Sequence, residues 1–104
     1  MAPAYTFALA EFYLGKDNTQ NLPLVPAGRR YVIRNVQTWF LTPASLYLFH
    51  TETGNVLLAL HASTAPAALY YEGRVVLDTG QAYYLQASDN SVFGSITAYD
   101  LSTT

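Results

Sequence analysis

The 104-residue sequence predicts an all-β fold: a single antiparallel β-sandwich, jelly-roll-like, of seven or eight strands. Three observations predict it. Runs rich in β-branched and aromatic residues recur at roughly 8–12-residue spacing, the rhythm of sandwiches and barrels. Clusters of Gly, Asn, Asp, Ser and Pro separate those runs, and each type turns the chain for its own reason. No stretch carries a 3.6-residue apolar period; Ala65–Tyr71 is the one candidate for a helical turn, and Pro66 limits it.

The elements follow in order. Tyr5–Leu14 is aromatic and aliphatic and stops at Gly15-Lys16-Asp17-Asn18, a turn cluster. Leu22-Pro23-Leu24-Val25-Pro26 is extended, because two prolines remove two donors and bias the residues before them away from helix. Ala27-Gly28 then turns into Arg29–Leu41, a long strand that Thr42-Pro43-Ala44 breaks. Ser45–Thr51 and Val56–His61 flank Glu52-Thr53-Gly54-Asn55, where Gly54-Asn55 reads as a hairpin turn. Ala62–Ala68 is a loop, and Leu69–Leu77 is the next strand. Asp78-Thr79-Gly80 turns into Gln81–Ala87, and Ser88-Asp89-Asn90-Ser91 turns into the final strand, Val92–Leu101. Residues 1–104 are expected to form one domain, with a short arm at 1–4 and a polar tail at 102–104.

Side-chain alternation adds a second layer of information. Leu46, Leu48 and His50 alternate with Tyr47 and Phe49, and Val56, Leu58 and Leu60 with Leu57, Ala59 and His61, so both faces of these strands are apolar. In a solvated two-layer sandwich the outer face is polar. The chain's own loops or another chain must cover the excess, and loops this short cover little.

Composition points the same way. Charged residues are 12% of the chain against an ordinary share of about 25%, hydrophobic residues are 51%, and the formal net charge is −2. Disorder is excluded, since it needs low hydrophobicity and high net charge. A nucleic-acid binder driven by counterion release needs a basic excess that is absent here. With no Cys there is neither a disulfide framework nor a thiolate metal site. No apolar run approaches the roughly 18 residues of a membrane helix. Met1–Thr6 lacks the basic and apolar regions of a secretory leader, so none is expected. So sparse a charge set implies a surface that meets another chain, and a homo-oligomer is expected.

Chemistry-bearing residues are few. A hairpin centred on Gly54-Asn55 sets His50 opposite Ala59 and His61 about one position beyond Leu48, making the two histidines diagonal neighbours. A zinc site would need a third ligand at matching spacing, which is lacking, so no metal and no cofactor is expected. There is no Gly-x-Ser-x-Gly elbow and no phosphate loop, and Asp17, Asp78 and Asp89 fall in turns. The aromatic residues are more informative. Tyr70-Tyr71 and Tyr83-Tyr84 are adjacent pairs, each placing one ring on either face of a sheet. With Trp39 and Tyr99 they are candidate anchors of a protein interface or a stacking platform for sugars, set against plain β-propensity. Arg29, Arg30, Arg34 and Arg74 cluster at strand starts. Arg34 lies in a hydrophobic strand and needs a partner: Glu72, Asp100 or a neighbouring subunit, unless its stem merely covers apolar surface.

Three segments carry a resemblance. Pro26–Val36, Gly73–Gln81 and Ser95–Leu101 resemble, in order and spacing, segments of small structural proteins of tailed bacteriophages. In that family a Pro-Ala-Gly leader enters a basic, β-branched strand, a Gly-Arg-Val-Val-Leu strand ends in a Gly turn, and the last strand carries a Tyr near its end. Two departures stand out: Ala98 replaces the usual glycine before Tyr99, and Asp78-Thr79 replaces a commoner Asn-Pro or Glu-Pro. The resemblance implies a non-enzymatic virion protein made in the host cytoplasm, a capsid decoration or minor tail component. It would be a homo-oligomer, a trimer among the options, contacting major capsid or tail proteins. No nucleic acid and no membrane is expected among its partners. The alternative function is a carbohydrate- or receptor-binding module using surface Trp and Tyr.

Overall fold

A computed structural model describes residues 5–16, 18–89 and 91–102. The expected arm at 1–4, the end of the polar tail, and Asp17 and Asn90 of the expected turns lie outside the described residues. Among the described residues there are eight strands: β1 (Tyr5–Leu14), β2 (Thr19–Asn21), β3 (Arg29–Phe40), β4 (Ala44–His50), β5 (Val56–Ala62), β6 (Ala67–Leu77), β7 (Tyr83–Ala87) and β8 (Val92–Ser102). They form two antiparallel four-stranded sheets, a front sheet ordered β1-β8-β3-β6 and a back sheet ordered β2-β7-β4-β5. Every connection crosses between sheets except the β4–β5 hairpin, which is a jelly roll.

The core lies between the sheets and follows from period-two alternation. On β3, Val36, Thr38 and Phe40 point inward while Gln37 and Trp39 point out. Leu46 and Leu48 of β4, Leu85 of β7, Leu77 of β6 and Ile96 of β8 meet them, all almost fully buried. Each such side chain contributes about 1.5–3 kcal/mol of transfer free energy. Thr38 and Ser45 are the buried polar residues among those described, and the Thr38 hydroxyl donates to the Phe93 carbonyl at 3.3 Å. No buried side-chain nitrogen or oxygen lacks a partner among the described residues.

Several expectations need correction. The extended stretch at 22–26 is not a strand; β2 forms just before it, where Thr19–Asn21 retain the N–H groups that prolines lack. The expected 62–68 loop is shorter, since β5 includes Ala62 and β6 begins at Ala67, and β7 begins at Tyr83 rather than Gln81. Ser102, expected in the tail, closes the β8 ladder opposite Arg29. Arg74 is not at a strand start but well inside β6.

The β4–β5 hairpin loop is longer than the expected two-residue turn and is centred earlier in the chain. Leu46 faces Leu60 and Leu48 faces Leu58, with a bulge between Leu48 and Phe49. Residues 51–54 form the loop, closed by the His50 N–H donating to the Asn55 carbonyl and the Gly54 N–H to the His50 carbonyl. Gly54 has φ of 73°, a conformation only glycine adopts freely. In this register His61 faces Ser45, while His50 faces Tyr83 on β7, so the two histidines are not neighbours.

Candidate functional site

The front sheet's outer surface is assembled by registers that run straight across it. Tyr13 of β1 faces Phe93 of β8, Phe93 faces Trp39 of β3, and Trp39 faces Ala68 of β6. Tyr13 and Phe93 stack with ring centroids 5.8 Å apart. One row further along, Gln37 sits between Ser95 and Tyr70. Tyr13 is 69% exposed, Tyr70 57% and Trp39 52%, with Leu41 just beyond Trp39 equally bare. Trp39, Tyr70, Gln37 and Ala68 line a shallow cleft of about 160 Å³. This is a contiguous aromatic patch rather than scattered single residues.

The other end of the same surface is framed by arginines. A bulge between Ile33 and Asn35 pushes Arg34 outward, where its guanidinium lies 5.6 Å from the Tyr99 ring centroid. Arg34 is thus exposed rather than inside the strand's hydrophobic side, and the aromatic ring supplies the attraction expected from a carboxylate. Arg30 and Arg74 flank a cleft of about 390 Å³ floored by Val32, Val76, Tyr99 and Leu101. Arg30 pairs with Asp78 at 3.2 Å and Arg29 with Asp100 at 2.7 Å. Asp100 was a candidate partner for Arg34; the structure gives it to Arg29.

The tyrosine pairs split between faces as alternation requires. Tyr70 points out, while Tyr71 points in and packs on the core. Tyr83 is buried, its hydroxyl accepting the Asp78 N–H at 3.0 Å, while Tyr84 lies on the outer side of the back sheet, stacked on Phe49 at 5.0 Å. The candidates therefore do not form one platform. Trp39 and Tyr70 share the aromatic end, Tyr99 belongs to the arginine end, and Tyr71, Tyr83 and Tyr84 are elsewhere. Tyr13 and Phe93 were missed; their positions in strands flanking β3 are set by register, which single-strand patterns do not show.

The polar residues form satisfied structural contacts. Ser45 Oγ and His61 Nδ1 are 2.8 Å apart across the β4–β5 pair, and His50 bridges Thr53 and Gln81 at 2.8 Å each. No group of three or more His, Asp or Glu able to hold a metal occurs among the described residues.

No family model matches the chain, and no curated protein matches it in sequence. Solved structures match in fold. The chain is similar to a carbohydrate-binding module of lichenase 5A from Cellvibrio mixtus, solved in complex with cellotriose. That match has a TM-score of 0.50 and 7% identity, covering 94% of this chain and 97% of that one. It is also similar to the virus-like particle of extra small virus from the giant freshwater prawn Macrobrachium rosenbergii (TM-score 0.43, 14% identity, 98% of this chain and 80% of that one). A third match is infectious bursal disease virus, Gx strain (TM-score 0.43, 16% identity, 97% of this chain and 32% of that one). These three neighbours are a binding module and two viral particles, and none of the three is named as a tailed-phage protein. At these identities the likeness is one of fold.

Proposed function

We propose that this chain is a non-enzymatic structural subunit of a bacteriophage particle, one domain over residues 1–104, that decorates or stabilises a capsid or tail as an oligomer. One observation carries the reading: the front sheet's outer surface presents Tyr13, Trp39 and Tyr70 in a contiguous patch, each more than half exposed. A free sheet face of a small protein is ordinarily polar. Here the aromatic rings offer large, rigid contact area with hydrogen-bonding tips, the residue types that dominate binding energy at protein interfaces. The phage resemblance of segments 26–36, 73–81 and 95–101 supports the setting, the last ending beside the arginine-framed cleft. Repeated copies on a particle lattice would multiply modest single contacts into firm attachment.

The experiment is reconstitution of the purified chain with its particle's major capsid and tail proteins. Co-sedimentation with one of them, or self-assembly at micromolar concentration, is the expected result. A chain that stays monomeric and binds neither protein defeats the reading.

A second reading has its own observation. The cleft between Trp39 and Tyr70 has Gln37 at its floor, a ring-and-amide arrangement that suits stacking and hydrogen bonding of a sugar. Quenching or shifting of Trp39 fluorescence by soluble oligosaccharides, cellotriose among them, tests it; an unchanged spectrum at millimolar sugar rejects it.

A further inference from the structure

The front surface is two-ended. One end carries Tyr13, Trp39 and Tyr70; the other carries Arg30, Arg34 and Arg74 around an aliphatic floor. Arg34 and Arg74 have no carboxylate within ion-pair distance among the described residues. Neither has Glu72 a cationic partner, although it is exposed on the same side of β6 as Arg74. Aromatic rings at one end want cations, and cations at the other want rings and carboxylates.

We propose that this surface packs face to face on the same surface of a second copy, about a two-fold axis that lies in the interface perpendicular to the strands. This names the partner for the assembly surface described above and rests on that reading. The operation keeps each strand over its own counterpart and exchanges the ends. Register locates the axis, because Thr97, Asn35 and Glu72 form one row across β8, β3 and β6, midway between the two ends. Trp39 then meets Arg30 of the second copy. Glu72 lies near the axis and Arg74 two residues beyond it, so Glu72 of each copy comes within reach of Arg74 of the other. Such reciprocity is the signature of an isologous contact. The alternative axis, parallel to the strands, would set arginines against arginines, and like charges in juxtaposition disfavour it.

The area suffices. From Trp39 to Arg30 the surface runs about 30 Å, and four strands span about 19 Å, giving on the order of 600 Å² per copy. The total of about 1,200 Å² clears the roughly 1,000 Å² that a specific interface needs.

Sedimentation equilibrium of the purified chain, with Trp39 fluorescence followed against concentration, tests the pairing. Trp39 is the sole tryptophan, so its emission reports this surface alone. The expected result is a dimer whose formation shifts that emission to the blue. Arg74→Glu and Glu72→Arg should each weaken it at least about tenfold, and the combined swap should restore it to within about threefold. Both positions are exposed, so unchanged circular dichroism and urea midpoint verify that the variants fold. A trimer, or a dimer indifferent to both reversals, overturns the pairing. A monomer that still binds capsid or tail proteins overturns the pairing alone; one that binds nothing overturns the assembly reading as well.

Discussion

A Cβ placed on Gly94 would lie 1.9 Å from the Gln37 carbonyl oxygen and 2.9 Å from Thr38 Cα. Those atoms belong to the backbone of β3, the strand paired with β8 at the centre of the front sheet, and cannot yield without opening the ladder. Gly94→Ala is therefore expected to cost about 2–4 kcal/mol, read as a lowered urea midpoint at unchanged slope. Gly73 provides the contrast. Its added methyl would meet only the hydroxyl end of the Tyr71 ring, which can swing aside, so Gly73→Ala should cost less than about 1 kcal/mol. The Arg29–Asp100 pair is short but about one-third exposed, so solvent screens it, and Asp100→Asn should lower stability by no more than about 1 kcal/mol. At this scale the sequence was readable where alternation alone decides. Tyr70 and Tyr71 diverge because neighbours on a strand must, whereas Arg34 escaped prediction because a bulge turns it outward, and bulges leave no mark in a single strand's pattern.

Among elements, β5 is the most exposed to misassociation. It is the longer of the back sheet's two edge strands, seven residues without a charge or a proline, with Val56 and Leu57 substantially bare. Edge strands of this kind template pairing with other chains unless a charge blocks them. Ala59 points outward opposite Tyr47 and is exposed. Ala59→Lys should leave the unfolding free energy from urea titration within about 0.5 kcal/mol of the parent while slowing heat-induced aggregation, as light scattering would show. The position and type of most elements were legible, since β-branched runs and turn residues are local properties. The β4–β5 register was not. Gly54-Asn55 suggested a turn centred on itself, but the Thr53 hydroxyl accepts the Asn55 N–H, and the loop closes earlier around 51–54. That side-chain cap competes with the simple hairpin, and its outcome depends on geometry that residue order does not specify.

For the whole molecule, the low charge density acquires a location. Gly28–Ile33 and Gly73–Leu77, each a Gly-Arg followed by a β-branched run, lie on paired strands: Tyr31 faces Leu77, Val32 faces Val76 and Ile33 faces Val75. That pairing draws Arg30 and Arg74 to one end of the front sheet and leaves the aromatic residues at the other. Sequence could announce that some surface must be covered; only the strand order β1-β8-β3-β6 shows which. Because Trp39 and Tyr70 contribute little to the core at their exposure, stability and assembly are separable there. Trp39→Ala with Tyr70→Ala should leave the thermal midpoint within a few degrees, since exposed sites shift stability by only about 0.5 kcal/mol each. The same pair should weaken self-association through this surface at least about a hundredfold, because aromatic anchors of an interface typically cost 2 kcal/mol or more each when truncated. Sedimentation equilibrium and calorimetry on one preparation measure both quantities. Intact stability with lost self-association would place assembly on this surface, whereas undiminished self-association would move it to the Phe49–Tyr84 side of the back sheet.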